Sequence, residues 1–164
     1  MEEQCPWCRG YFPETYGPVH EYIESSPGCW KAYCDVLARE YENYSRTHEI
    51  HRLTVDTYAA QHPGIPGRKS TQSVWGHLVS LYCVLEMGFS GRLARDKLGK
   101  FVLQKRPLEW LTPPHFDQTI NVGLVAQANT LDEHISMVRS WSESVWGAWR
   151  EKYRTRISEV VESL

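Results

Sequence analysis

The chain has 164 residues, seven Trp, nine Tyr and a net charge of −2 at pH 7. That length supports a buried core, and the aromatic content excludes a disordered chain. The near-balanced charge argues against nucleic-acid binding, which needs a basic face, and charges and glycines break every apolar run before membrane-spanning length. Met1 leads into Glu2, Glu3 and Gln4 with no basic segment, so no secretory signal is expected and the expected compartment is the cytoplasm. There, five Cys favour a metal site or free thiols over a disulfide framework.

The first thirty residues carry three thiols of interest. Cys5-Pro6-Trp7-Cys8 has the spacing that lets two thiolates reach one tetrahedral metal ion. Tyr11 to Ser25, with Pro13, Gly17 and Pro18, reads as loop. Ser26 is then suited to cap a helix whose first residue is Pro27, because the N–H that proline lacks would be unpaired there. Cys29 falls in the first turn of that helix, where the positive end of the dipole favours a thiolate. The predicted feature is a structural zinc held by Cys5, Cys8, Cys29 and a fourth ligand. His20, free in the loop, is preferred over Cys34, which lies five residues after Cys29 and so ~140° around the helix from it. Cys34 is expected instead as a core thiol on a stripe with Trp30, Tyr33, Leu37, Tyr41 and Tyr44. Water in the fourth position, or no metal at all, stays open. A redox dithiol fits less well, since that motif normally follows a strand and opens a helix.

A second helix is predicted from about Thr47 to His62, stopped by Pro63-Gly64. His51 and His62 lie ~16 Å apart along it, too far to share an ion. The third helix, about Ser70 to Met87, is apolar almost all round and is expected at the centre of the fold, with His77 and Glu86 as its polar exceptions. A short amphipathic helix from Gly91 to Lys105 should bury Leu93, Leu98, Phe101 and Val102. Pro107 to Phe116 holds three prolines and cannot be helical throughout, so Trp110 and Leu111 are expected to pin it. Thr119 is expected to cap a brief helix through Ala128. Asp132 is expected to cap the longest one, Glu133 to Glu162, whose stripe runs through Val138, Trp141, Val145, Trp149, Tyr153, Ile157 and Val160, with His134 at its start. Arg150, Lys152, Arg154 and Arg156 read as a solvated face. The fold class is therefore all-α: one domain, 1–164, with five or six helices, made of a zinc-binding N-terminal loop (1–30) and a helical body (31–164).

Taken together, Cys5-Pro6-Trp7-Cys8, Ser26-Pro27-Gly28-Cys29-Trp30, His51 to Tyr58, Gln61-His62-Pro63-Gly64, Gln72 to Leu78 and Ser144-Val145-Trp146 form an ordered set. Over nearly the whole chain this resembles a family of small bacterial proteins known as a domain of unknown function. The resemblance implies no activity. Its motif positions fall on Cys5, Cys8, His20, Cys29, His51, Asp56, Tyr58, Gln61, His62 and His77, and omit Cys34, which again favours His20 as ligand. The family tends to carry Gly after the second Cys; Arg9 stands here, followed by Gly10, which implies an altered turn.

Two functions compete. The first is a non-enzymatic binding or structural module, stabilised by one zinc, that takes a protein partner or a small-molecule ligand. The second is a metal-dependent enzyme, by analogy with DinB-like hydrolases and thiol transferases, with a catalytic cluster drawn from Asp56, His62, His77 and His134. That analogy lacks its HxxxH pair in this chain. Nucleic-acid binding through the basic run with Trp146 and Trp149 fits least.

Overall fold

The computed structural model describes residues 1–164. Its N-terminal stretch is more ordered than the loop expected there. Strands β1 (Glu2–Gln4) and β2 (Tyr11–Pro13) pair antiparallel with Glu3 opposite Phe12. Between them the chain closes a tight knuckle: the Cys5 N–H donates to the Gly10 carbonyl at 2.8 Å, and the Arg9 N–H to the Cys5 carbonyl at 3.2 Å. Arg9 holds φ at +62°, the left-handed conformation that glycine adopts without a Cβ clash. At the position where the resemblance implied an altered turn, a residue with a Cβ thus takes the backbone conformation that suits glycine.

Helix α1 (Pro27–Glu42) begins as its sequence dictates, the Ser26 hydroxyl accepting from the Cys29 N–H at 3.2 Å with Pro27 in the first turn. The hairpin lies directly on this turn: a Cβ at Gly28 would meet the Pro13 carbonyl oxygen at 2.5 Å and Phe12 Cβ at 2.9 Å. The buried face of α1 is Cys29, Tyr33, Val36 and Glu40, whereas Cys34, expected in the core, is exposed. The 29/33/36/40 spacing follows the helical period; the expected stripe had drifted with the aromatic residues.

Helix α2 (Tyr44–Gln61) starts earlier than expected, with only Asn43 between it and α1. The elbow is closed by side chains, Asn43 Nδ2 donating to the Arg39 carbonyl at 2.9 Å and the Thr47 hydroxyl to the Glu40 carbonyl at 2.7 Å. His62 caps its C-terminus before Pro63 and Gly64, which takes φ +73°. Helix α3 (Arg68–Leu85) packs against α2 and two later helices, α4 (Gly91–Leu103) and α6 (Leu131–Glu162), the central position its apolar surface predicts. On α4 only Ala94 and Phe101 are fully buried; Leu93 and Val102, expected inside, are about half exposed. A Cβ on Gly76 of α3 would sit 3.0 Å from Leu98 Cδ1, so small residues at this crossing let the helices approach and leave the flanking apolar groups outside.

The proline-rich segment crosses the bundle as coil, held by Trp75 Nε1 donating to the Glu109 carbonyl (2.8 Å) and the Tyr153 hydroxyl to the Thr112 carbonyl (3.2 Å), with Leu111 and Phe116 buried. Helix α5 (Val122–Ala126) is capped by Asn121 rather than Thr119, and α6 by Thr130 with Asp132 in its first turn. The predicted stripe of α6 is buried throughout, from Val138 to Val160. Two of its indoles grip the end of α2: Trp141 Nε1 donates to Gln61 Oε1 and Trp149 Nε1 to the Ala60 carbonyl, both at 2.9 Å. No helix is long and apolar enough to cross a membrane.

Because Arg9 is held in a left-handed conformation, Arg9→Gly is expected to stabilise the fold by about 1 kcal/mol. Gly28→Ala, which drives a methyl group into the hairpin backbone, is expected to cost about 1–3 kcal/mol. Urea unfolding of both variants measures the two signs.

Candidate metal centre

Cys5 and Cys8 flank the knuckle, Cys29 stands in the first turn of α1, and His62 ends α2. Their ligand atoms all lie within 4.8 Å of one another and all four residues are buried. Cys8 Sγ is 3.9 Å from Cys29 Sγ, and Cys29 Sγ is 3.4 Å from His62 Nε2. Two sulfurs each about 2.3 Å from a tetrahedral ion stand ~3.8 Å apart, and a sulfur and an imidazole nitrogen ~3.6 Å. The donor set therefore fits one tetrahedral ion with four protein ligands.

The imidazole is oriented from behind. His62 Nδ1 meets the Tyr58 carbonyl at 2.7 Å, which only a protonated Nδ1 can satisfy, and this leaves the Nε2 lone pair facing the thiols. The Tyr58 ring stacks on His62 at 4.1 Å and on Tyr33 at 3.9 Å, and its hydroxyl lies 3.4 Å from Cys29 Sγ. Burial pushes that hydroxyl far above the usual phenol range.

The thiols also perturb one another. Hydrogen bonding from Cys29, then Cys8, holds the Cys5 thiol far below the usual range against the opposing effect of burial. Cys8 is drawn down by Cys29, but Cys5 and burial outweigh this and leave it pushed up to about 12. Burial, then Cys5 and Cys8, push the Cys29 thiol far above its ordinary value. One thiolate thus opposes the next, and a cation is what a fully ionised set requires.

The expected ligands do not all meet. His20 lies outside this group: its Nδ1 accepts from the Tyr22 and Ile23 N–H groups, both at 3.3 Å, and its ring packs against Tyr22. Backbone donors two and three residues away satisfy it locally. His62, read from the sequence as part of a second cluster, stands where His20 was expected.

That second cluster is divided in the fold. Asp56, buried on α2, is bound through both oxygens by Arg52, by the Ser80 hydroxyl, and by His77 Nδ1 at 2.8 Å. His77 also borders a cavity of about 440 Å³ with Lys69 and Gln72. His134 belongs to another network, centred on Glu40, which sequence reasoning missed. His134 Nε2 lies 2.7 Å from Glu40 Oε2, the Thr54 hydroxyl donates to the same oxygen at 2.6 Å, and His51 Nδ1 lies 2.8 Å from Oε1. Arg39, a donor only, contacts His134 Nδ1 at 3.3 Å, so the proton sits on Nε2 and points at Glu40. A charged residue on an otherwise apolar helix stripe was the only available signal for Glu40. On the α6 side, Trp146 and Trp149 are buried, and Arg150 and Arg154 pair with Glu86.

A bundle of six helices closed at one end by a buried group of three cysteines and one histidine defines the class. Residues 3–150 match the family described as "Family of unknown function (DUF5946)", and the chain belongs to it. No curated protein and no solved structure matches the chain.

Asp56→Ala strands Arg52 and His77 beside a space without a carboxylate. Arg52 keeps partial solvent access, so the expected cost is about 3 kcal/mol, at the lower end for breaking a buried pair. His77→Ala removes one donor from a carboxylate that keeps two others, and about 1–2 kcal/mol is expected. Denaturant titration of both variants tests the ordering.

Proposed function

We propose that Cys5, Cys8, Cys29 and His62 hold one structural zinc, and that the protein is a zinc-stabilised binding module rather than an enzyme acting at that ion. The observation that carries this reading is the pairing of His62 Nδ1 with the Tyr58 carbonyl, which commits Nε2 to the space shared by three buried sulfurs. Three soft thiolates and one imidazole suit zinc, and four protein ligands leave no position for water or substrate. The ion would join the knuckle, the start of α1 and the end of α2, so its binding free energy acts as folding free energy. Free thiols around such an ion suit a reducing compartment, the cytoplasm. The alternative, a metal-dependent enzyme built on Asp56, His62, His77 and His134, finds Asp56 paired with His77 in one network, His134 in another around Glu40, and His62 among the thiols, with the Asp56 and Glu40 carboxylates already accepting from protein donors. The binding role therefore falls to other surfaces of the bundle, toward a small-molecule ligand or a protein partner.

Protein purified without chelator is expected to carry about one zinc per chain by elemental analysis. Cys29→Ser and His62→Ala are each expected to lose the metal and most of the folding cooperativity, while His20→Ala keeps both. Cobalt substituted for zinc should give the absorption of a thiolate-rich tetrahedral site. A metal-free but fully folded protein, or metal loss in His20→Ala, would overturn the assignment.

A further inference from the structure

Between the start of α3 and the end of α4 lies a cavity of about 700 Å³ whose walls include Arg68, Thr71, Phe101, Lys105, Arg106 and Leu108. No acidic residue lines it. The ion pairs of the molecule are made by other cations, so Arg68, Lys105 and Arg106 are free of carboxylate partners. The Arg106 guanidinium is instead braced by Gln104 and by the Ser163 hydroxyl, both neutral. Helix α3 begins at this wall, and its cap, Gly67, offers no side-chain acceptor to the first-turn N–H groups.

A second, independent feature marks the same wall. Thr71, one turn into α3, is 9% exposed and borders the cavity, yet its hydroxyl makes no hydrogen bond within the protein. The fully enclosed unpaired hydroxyls are those of Ser25 and Thr57, so the Thr71 hydroxyl, also unpaired, is reachable from outside the protein at the cavity wall. Lys105 adds a third. It holds φ at +47°, the position after a helix end that glycine fills at lower cost, and the chain keeps a cation there.

We propose that this cavity binds a phosphomonoester. Its dianionic phosphate would sit at the start of α3 among Arg68, Lys105, Arg106 and the Thr71 hydroxyl, and its apolar body against Phe101 and Leu108. Three cations and a helix N-terminus suit a dianion, and guanidinium forks match phosphate oxygens in pairs. The volume falls within the roughly 300–1,000 Å³ of small-molecule pockets. This assignment rests on the binding role proposed above and supplies its ligand class; it does not depend on which ion the thiols hold.

Isothermal titration of the full, metal-replete chain with phenyl phosphate, inorganic phosphate and benzoate tests it. Phenyl phosphate is expected to bind about tenfold or more tightly than either of the others. The Arg68→Ala/Arg106→Ala double variant is expected to lose about tenfold or more of that affinity. Thr71→Val, isosteric and fold-preserving, should weaken it severalfold. Lys105→Gly should weaken binding while raising the melting temperature, a combination that a merely structural role for Lys105 does not produce. Absence of phenyl phosphate binding up to about 5 mM, equal binding of benzoate, or undiminished affinity in the double variant would overturn the site. If binding fails while zinc content is unchanged, this site alone is lost and the thiol centre stands.

Discussion

Three buried sulfurs and one imidazole nitrogen, drawn within 4.8 Å of each other, are the constraint on which the N-terminal third depends. The hairpin there has strands of only three residues each, and a two-stranded ribbon of that size is marginal in water. It is held by what its loop presents: Cys5 and Cys8 meet Cys29, from the first turn of α1, and His62, the C-cap of α2. The arrangement closes loops of 21 and 33 residues at a single point. With the proposed zinc in place, that closure constrains the unfolded chain and screens charge that the sulfurs cannot share unaided.

Two buried carboxylates organise the helices beyond this clamp. Glu40 joins α1 to α2 and α6 through Thr54, His51 and His134, and Asp56 joins α2 to α3 through Ser80 and His77. Every oxygen of both carboxylates accepts from at least one protein donor, the condition under which burying a charge is tolerable. In both networks histidine acts as a directed donor between helices, its tautomer set by the neighbour on its other nitrogen or by the carboxylate itself.

Two residues other than glycine sit in the left-handed region, Arg9 and Lys105. One lies in the knuckle that carries Cys5 and Cys8, and the other borders the cavity assigned to a phosphomonoester. Strain of this kind persists only where its surroundings hold it, and it gathers at functional positions more often than elsewhere. Both side chains are cationic, and at both places a glycine would serve the backbone better. For Lys105 the cation is accounted for by the proposed ligand; for Arg9 the structure shows only an exposed pairing with Asp117, worth little energetically.

Local rules written in the sequence were enough for most of the helices and for three of the four residues in the candidate metal group. Ser26 and Pro27 start α1 because capping involves neighbouring atoms, and the seven-residue stripe of α6 shows because helical periodicity is itself local. The CxxC spacing marks a thiol pair for the same reason. The fourth member of that group was decided elsewhere. His20 and His62 have equal chemistry, and the choice turns on where α2 ends in space, which Trp141 and Trp149 settle by gripping Gln61 and Ala60 from a helix some eighty residues away. Glu40, the exposure of Cys34 and the separation of Asp56 from His134 depend likewise on which helix faces meet. Such contacts are long-range, and no spacing along the chain encodes them.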